Sequence, residues 1–157
     1  MNGYNISKKC IDTINELSPN GNILEFGSGD GTDELLKNHN VFSIEHDIKY
    51  YRVRGVNHTI MLCPLENGWY SNTEVIIPFL MNTDLILIDG PPREDRKGIL
   101  NHLNLFRDYE GIIIFDDAQR KVDIEVIKKF CETLGYEYEI ITDERKAFAV
   151  CRRKNGI

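Results

Sequence analysis

The stretch NILEFGSGDGTDELL, residues 22–36, decides how the chain is read. Ile23, Leu24 and Phe26 mark a buried strand, Gly27-Ser28-Gly29-Asp30-Gly31 a glycine-rich turn, and the residues from Thr32 to Lys37 a short helix. Glycine admits positive φ and lets a ligand lie against the main chain with no Cβ in the way. A strand–turn–helix unit also brings backbone N–H groups and a helix N-terminus close to that ligand. The unit predicts a nucleotide-like cofactor lying across the turn.

On either side of it the chain alternates strands and helices. Ile6, Cys10, Ile14 and Leu17 give helical spacing from Tyr4 to Leu17, ended by Ser18-Pro19-Asn20-Gly21. Strands are expected at Val41–Ile44, His58–Leu62, Asp84–Asp89 and Gly111–Phe115. The last two are almost unbroken apolar runs, as strands buried on both faces require. Helices are expected at Ile48–Val53, at Lys97–Asp108 with Leu100, Leu103 and either Ile99 or Phe106 inward, and from Val122 to Leu134, capped by Gly135. Residues 66–80 are the least readable: Asn67-Gly68 signals a turn, and Pro78 disfavours one continuous helix. Tyr136–Ile141 and Ala147–Arg152, separated by a few polar residues, predict a terminal antiparallel hairpin. The alternation predicts a doubly wound α/β sheet in a single domain over residues 1–157.

Bulk properties narrow the classes. A chain of 157 residues is large enough for a self-sufficient core. A net charge of −6 argues against a broad nucleic-acid or membrane footprint. The basic cluster Arg152-Arg153-Lys154 reads as a solvated tail. No apolar run is long enough to cross a membrane. MNGYNISKKC lacks the apolar core of a signal peptide, so a cytoplasmic location is expected. Cys10, Cys63, Cys131 and Cys151 are scattered without a C-x-x-C pair, which suits reduced thiols rather than a zinc site.

The glycine spacing selects the cofactor. The dinucleotide fingerprint is G-x-G-x-x-G. Here the glycines fall at 27, 29 and 31, and Thr32 stands where the third would be. Glu25 precedes the first glycine by two residues; a carboxylate aimed into the turn would repel pyrophosphate but suits an ammonium group. E-x-G-x-G-x-G after a first strand resembles the cofactor motif of class I S-adenosylmethionine-dependent methyltransferases. The resemblance covers nearly the whole chain. It implies a three-layer, Rossmann-like α/β fold, with a mostly parallel seven-stranded sheet, a C-terminal antiparallel hairpin, and S-adenosylmethionine as cofactor. A nicotinamide-dependent oxidoreductase is one alternative. The other is a non-catalytic or regulatory domain that binds the cofactor without transferring methyl.

In open α/β sheets, ligands bind beyond the carboxyl ends of the strands. Glu25, Glu45, Asp89, Asp116 and Asp117 fall at such ends, where a buried carboxylate is costly unless solvated, paired or metal-bound. Glu45 is placed to accept both ribose hydroxyl hydrogens, the role the resemblance implies. His46 follows it, as a candidate base or a loop histidine. The expected cofactor contacts are Glu25, Gly27, Ser28, Gly29, Gly31, Glu45, His46 and Asp89, with Cys63 and Pro64 offering only backbone and apolar contacts to adenine. Asp89, Asp116 and Asp117 should converge from neighbouring strands, and hard oxygen ligands suit Mg²⁺. This resembles the metal-dependent O-methyltransferases of the catechol and sugar-modifying types, where such acids hold a metal that binds the acceptor hydroxyl. It implies catalytic roles for Asp89 and Asp117. The alternative leaves Asp89 touching cofactor or substrate while Asp116-Asp117 cap the next helix.

Gly90-Pro91-Pro92 leads to Arg93 and Arg96, a rigid cationic loop suited to contacts with the acceptor. Trp69-Tyr70 is either a stacking wall or core. The expected activity is methyl transfer from S-adenosylmethionine to a small-molecule acceptor, a saccharide hydroxyl by first preference, with Mg²⁺ assistance. Neither nucleic acid nor membrane is expected as a partner; the oligomeric state is open, and if the chain assembles as a homodimer the partner could complete the acceptor site.

Overall fold

The computed structural model describes residues 6–154. Among these residues nine strands form: β1 (Asn22–Phe26), β2 (Asn40–Glu45), β3 (His58–Leu62), β4 (Leu65–Glu66), β5 (Trp69–Tyr70), β6 (Leu85–Ile88), β7 (Ile112–Asp116), β8 (Tyr136–Asp143) and β9 (Lys146–Arg153). Seven of them make one sheet in the order β3-β2-β1-β6-β7-β9-β8. The pairs from β3 to β7 are parallel, β9 runs antiparallel to β7, and β8 antiparallel to β9. This is the expected sheet with its terminal hairpin.

Register places the acids. Phe26 pairs with Ile44 and Ile88, and Ile88 with Phe115. The next residues, Gly27, Glu45, Asp89 and Asp116, therefore emerge at one level of the sheet edge. Glu25 lies within β1 beside Ser43 and Leu87, so period-two alternation turns it onto the face of Ile23. That face packs Ile23, Leu85, Leu87 and Ile114 against Ile11 and Ile14 of helix α1 (Lys8–Leu17). Ser7 caps α1 by accepting from the Cys10 N–H at 3.1 Å.

The order of the sheet reverses between β1 and β6, the position where open α/β sheets bind ligands. Helix α2 (Asp30–Leu35) follows β1, and the one-turn α3 (Ile77–Leu80) precedes β6. Helix α4 (Lys121–Leu134) ends at Gly135, whose φ of 79° supplies the expected left-handed cap. It buries Ile127, Phe130 and Leu134 on the other face of the sheet. There Phe130 meets Phe115 and Phe106 edge-on at centroid distances of 5.1 and 5.4 Å, contacts worth about 0.5–1.5 kcal/mol each beyond area burial.

Four expectations change. The helix expected at Ile48–Val53 is a single 3₁₀ turn, Ile48–Tyr50, because its side chains are exposed and have no core face to pack on. The helix expected at Lys97–Asp108 is two 3₁₀ segments, Arg93–Asn101 and Leu103–Phe106, broken at His102. Ile99 and Phe106 are both fully buried there, while Leu100 and Leu103 are only partly so. The unreadable stretch holds the β4–β5 hairpin, whose Trp69 and Tyr70 are core residues packed on Phe26, not an open stacking wall. Arg153 is no solvated tail: it lies 4.4 Å over the Tyr136 ring and donates to the carbonyls of Tyr109, Leu134 and Arg107. The start of the first helix, at Tyr4, falls outside the described residues. The four cysteines are buried and free. Among the described residues, no helix is long and apolar enough to cross a membrane.

Candidate active site

The glycine turn is held from behind by a directed chain of hydrogen bonds. The Arg54 N–H donates to His58 Nδ1 at 3.0 Å, which leaves the proton of the neutral ring on Nε2. Burial, then the charge of Arg54, lowers the His58 pKa and keeps the ring neutral. Nε2 lies 2.8 Å from Ser43 Oγ, so Ser43 turns its own hydrogen to Glu25 Oε2 at 2.5 Å. Thr32 Oγ1 donates to the same oxygen at 2.5 Å and accepts the Gly29 N–H at 3.1 Å. Glu25 is 1% exposed. Loss of water pushes its pKa up to about 7, against the opposing pull of the Ser43 and Thr32 hydroxyls. Glu25 therefore braces the turn through Thr32 rather than facing a ligand, contrary to the expectation that it meets an ammonium group.

In front of the turn lies a cavity of about 680 Å³, within the size range of small-molecule sites. Gly27, Ser28, Gly29, Asp30 and Gly31 line one side of it, and Glu45, His46, Tyr70 and Asp89 others. Gly27 has φ of +97°, and a Cβ there would stand 3.1 Å from the Asp89 carbonyl, so the turn and the β6 end meet only with glycine. Gly29 is different: a Cβ there would meet no protein atom within 4 Å. Space beside its main chain thus stays open on the cavity. Glu45 accepts the N–H groups of Ser28 at 2.7 Å and of His46 and Asp47 at 2.9 Å. A carboxylate has about four acceptor positions, so roughly one remains for a ligand, not the two expected for a ribose diol. His46 Nδ1 lies 3.3 Å from Glu45 Oε2. Tyr70 lines the cavity at 2% exposure, and its buried hydroxyl has no hydrogen-bond partner within the protein. Such a group costs about 1–3 kcal/mol and is satisfied by a bound polar atom.

The far end of the cavity is the acid cluster. Carboxylate oxygens of Asp89, Asp116 and Asp117 lie within 4.8 Å of one another. Two cations meet them. Lys146 Nζ stands 3.3 Å from Asp116 and 3.7 Å from Asp117. Arg96, 9% exposed, donates Nη1 to Asp117 Oδ2 at 3.2 Å and to the Asp116 carbonyl at 3.0 Å. Its Nε donates to the Pro91 carbonyl and its Nη2 to the Asp89 carbonyl, both at 3.1 Å. Arg96 thus pins the β6 and β7 ends together and is a brace where sequence suggested an acceptor contact. Burial, then the neighbouring Asp116, raises the Asp89 pKa well above the carboxylate range; burial and Asp117 also raise Asp116. Asp117 adopts φ of 60°, which turns it onto the cavity. Neither acid caps α4, whose first turn uses Asp123 on the Arg120 N–H.

Of the remaining expected contacts, Cys63 is in the core and Pro64 is exposed, and neither lines the cavity. The Arg93 side chain lies outside the described residues. Three participants were not singled out by sequence: Lys146, Thr32 as the brace, and the Ser43–His58 pair. Lys146 follows the hairpin turn after β8, so only pairing β9 with β7 brings it to Asp116. Ser43 and His58 fall at inward positions of strands and read there as ordinary half-polar residues.

No protein-family model matches this chain, and no curated protein sequence matches it. Solved structures do. Fibrillarin of Aeropyrum pernix, in complex with natively bound S-adenosyl-L-methionine, aligns with 94% of this chain and 75% of its own at 14% identity, TM-score 0.65. A ribosomal protein L11 methylase from Lactobacillus delbrueckii subsp. bulgaricus aligns with 92% of this chain and 75% of its own at 13% identity, TM-score 0.64. The S-adenosylhomocysteine-bound methyltransferase PaMTH1 of Podospora anserina aligns with 97% and 81% at 15% identity, TM-score 0.60. At these identities the likeness is one of fold: the chain has the Rossmann-like architecture on which these methyltransferases are built.

Proposed function

We propose that this protein transfers a methyl group from S-adenosylmethionine to a small-molecule acceptor presented at the acid cluster. The observation that carries the reading is the larger cavity, which runs from the glycine turn and Glu45 to Asp89 and Asp117. The residues fit the cofactor. The main chain of Gly27 to Gly31 offers close approach, Glu45 one acceptor position for a ribose hydroxyl, and Tyr70 an unpaired hydroxyl. The fold neighbours bound to S-adenosylmethionine and S-adenosylhomocysteine support it.

Bound there, S-adenosylmethionine would supply a sulfonium methyl group to the acceptor oxygen, with S-adenosylhomocysteine as the leaving group. The chain's own contribution is placement and proton removal. Asp89, fixed through its main chain by Arg96, hydrogen-bonds the acceptor. The Asp117 carboxylate takes the hydroxyl proton, a role worth about 10²–10⁴ in rate. Mg²⁺ is the finer version of this reading. The three acids are close enough to hold one ion, but the Lys146 ammonium lies between two of them and must move aside first.

Calorimetric titration with S-adenosylhomocysteine, in Mg²⁺ and again in EDTA, tests the reading. Micromolar binding is expected, with none for NADH. Asp89→Asn and Asp117→Asn should each lower turnover of methyl-labelled S-adenosylmethionine at least about 100-fold while leaving that affinity within several-fold. Absence of binding in both buffers would overturn the assignment. Equal turnover in EDTA would remove the metal.

A further inference from the structure

Lys146, which no local sequence pattern links to the acids, is fastened to them by the fold. It is the first residue of β9, and its side chain is 19% exposed. Its Nζ stands 3.3 Å from Asp116 Oδ2 and 3.7 Å from Asp117 Oδ1. The segment after β7 is tied to the residue beside it. The Ala118 N–H donates to the Ala147 carbonyl at 2.7 Å, and the Ala147 N–H donates to Gln119 Oε1 at 3.2 Å. Gln119 Nε2 in turn donates to Asp117 Oδ1 at 3.3 Å. Lys146 therefore leaves the main chain at a point bound to the acids it neutralises. It lines neither the cofactor cavity nor the smaller one, of about 370 Å³, on the other side of Arg96. A ligand entering either cavity meets the acids before the ammonium.

Charge decides what else the cluster takes. Asp89, Asp116 and Asp117 carry at most three negative charges, and Lys146 and Arg96 bring two positive ones. The cluster is thus at most one charge short of neutral. A divalent ion would turn that deficit into an excess of one. Mg²⁺ also demands carboxylate oxygens placed with little give in geometry. Both oxygens of Asp117 already face donors, Oδ2 the Arg96 guanidinium at 3.2 Å and Oδ1 the Gln119 amide, while Asp116 Oδ2 faces Lys146. Arg96 is held in place, since its other donors go to the carbonyls of Pro91, Asp116 and Asp89. Buried charges are paired or bind metal, and these are paired. With Lys146 in position the acids do not fit Mg²⁺.

We infer that Lys146 is the resident cation of the acid cluster, supplying from within the chain the charge that a divalent ion supplies in a metal-dependent site. An ammonium is a compact point charge and does this without a coordination shell. Lys146 is a positioning residue: it keeps Asp116 and Asp117 together beside Asp89 and does not touch the acceptor. This rests on the methyl-transfer reading above and decides between its two versions, in favour of the one without metal.

The test uses the whole protein and Mn²⁺ itself as probe, read by the electron paramagnetic resonance signal of the free ion, with S-adenosylhomocysteine absent and then saturating. The parent should take up no ion at the cluster, and Asp117→Asn should leave any weak uptake unchanged. Lys146→Met should gain one Mn²⁺ per chain, bound at least tenfold more tightly than any uptake by the parent, and Lys146→Gln should gain it too. Asp89→Asn added to Lys146→Met should abolish the gain, which general loosening of the fold would not do. One ion bound by the parent and lost in Asp117→Asn overturns the inference, because the lysine then yields to a metal. Folded Lys146→Met and Lys146→Gln proteins that gain no site overturn it as well, because the ammonium then does not stand in for an ion. Where neither variant folds, the parent titration decides alone. Calorimetry of S-adenosylhomocysteine on the same parent sample tests the methyl-transfer reading separately. Its failure removes the transfer role given to Lys146 and leaves the Mn²⁺ result to report on the cluster's charge.

Discussion

Glu25 lies in β1 and Asp89 directly follows the adjacent β6, two residues beyond the Leu87 that pairs with Glu25, yet the protein treats them in opposite ways. Glu25 is held by neutral donors, two hydroxyls backed by a neutral imidazole, and does not line the cavity in front of the turn. Asp89, two residues further along, belongs to a cluster held by Arg96 and Lys146 and opens onto a cavity. Neutral donors satisfy lone pairs without supplying charge, so the enclosed acid is left with the cost of its own ionisation. Cations let three acids crowd together at an open edge. The first arrangement suits a brace and the second a place where charge and protons move.

The sharpest way to break this contrast is Arg96→Met. It keeps the stem length but removes the donors to three carbonyls and Asp117, leaving the acids with Lys146. Removing one partner of a buried ionic group costs about 3–5 kcal/mol, because the other is left uncompensated. In a chain of this size that lowers the melting temperature by roughly 10 °C. Protonating the acids relieves the repulsion, so the deficit should shrink from pH 8 to pH 5. A melting temperature within 2 °C of the parent at pH 8 would show that Arg96 does not hold the cluster.

Glu25→Gln acts on the other side of the contrast. The folded pKa, about 7, lies above the ordinary value of 4.5, so the folded state binds the Glu25 proton more tightly than the unfolded state does. Between those values stability falls as pH rises, and above pH 7 the full penalty, about 3 kcal/mol, is present. Glutamine keeps an acceptor oxygen for Ser43 and Thr32 and has nothing to ionise. The variant should match the parent near pH 4.5 and become progressively more stable relative to it up to pH 8, as read by urea denaturation. A constant difference across that range would mean Glu25 does not titrate.

Much of this was legible in the chain, for identifiable reasons. LILID and GIIIFDD are strands buried on both faces, so composition alone marks them, and their acids follow at the ends where ligands bind. The glycine turn is legible because only glycine meets its geometry at residue 27. What was not legible depends on register or on partners distant in sequence. Glu25 precedes the turn by two residues whether it faces the ligand or the core; only its pairing beside Ser43 decides. Lys146 reaches Asp116 through an antiparallel pair that no local pattern specifies. In Arg93–Asn101, periodicity over nine residues does not separate a 3₁₀ segment from an α-helix.

The smallest effect tests whether the Glu25 brace reaches the cofactor at all. Thr32 is the link that touches both, donating to Glu25 and accepting the Gly29 N–H. Thr32→Val keeps the shape and removes both bonds, together with the 3.2 Å contact between Thr32 Oγ1 and Ser28 Oγ. Ser43→Ala removes a bond to the same Glu25 oxygen from the side away from the turn. Each should cost about 1–2 kcal/mol of stability, the ordinary value for a lost buried hydrogen bond. Only Thr32→Val frees Gly29 and Ser28 of the turn, so only it should weaken S-adenosylhomocysteine, about fivefold, close to 1 kcal/mol. Equal loss of affinity in both variants would mean the turn responds to general loosening of the sheet edge. Loss in Thr32→Val alone would make Thr32 the residue through which a carboxyl buried behind the sheet edge sets the shape of the cofactor turn.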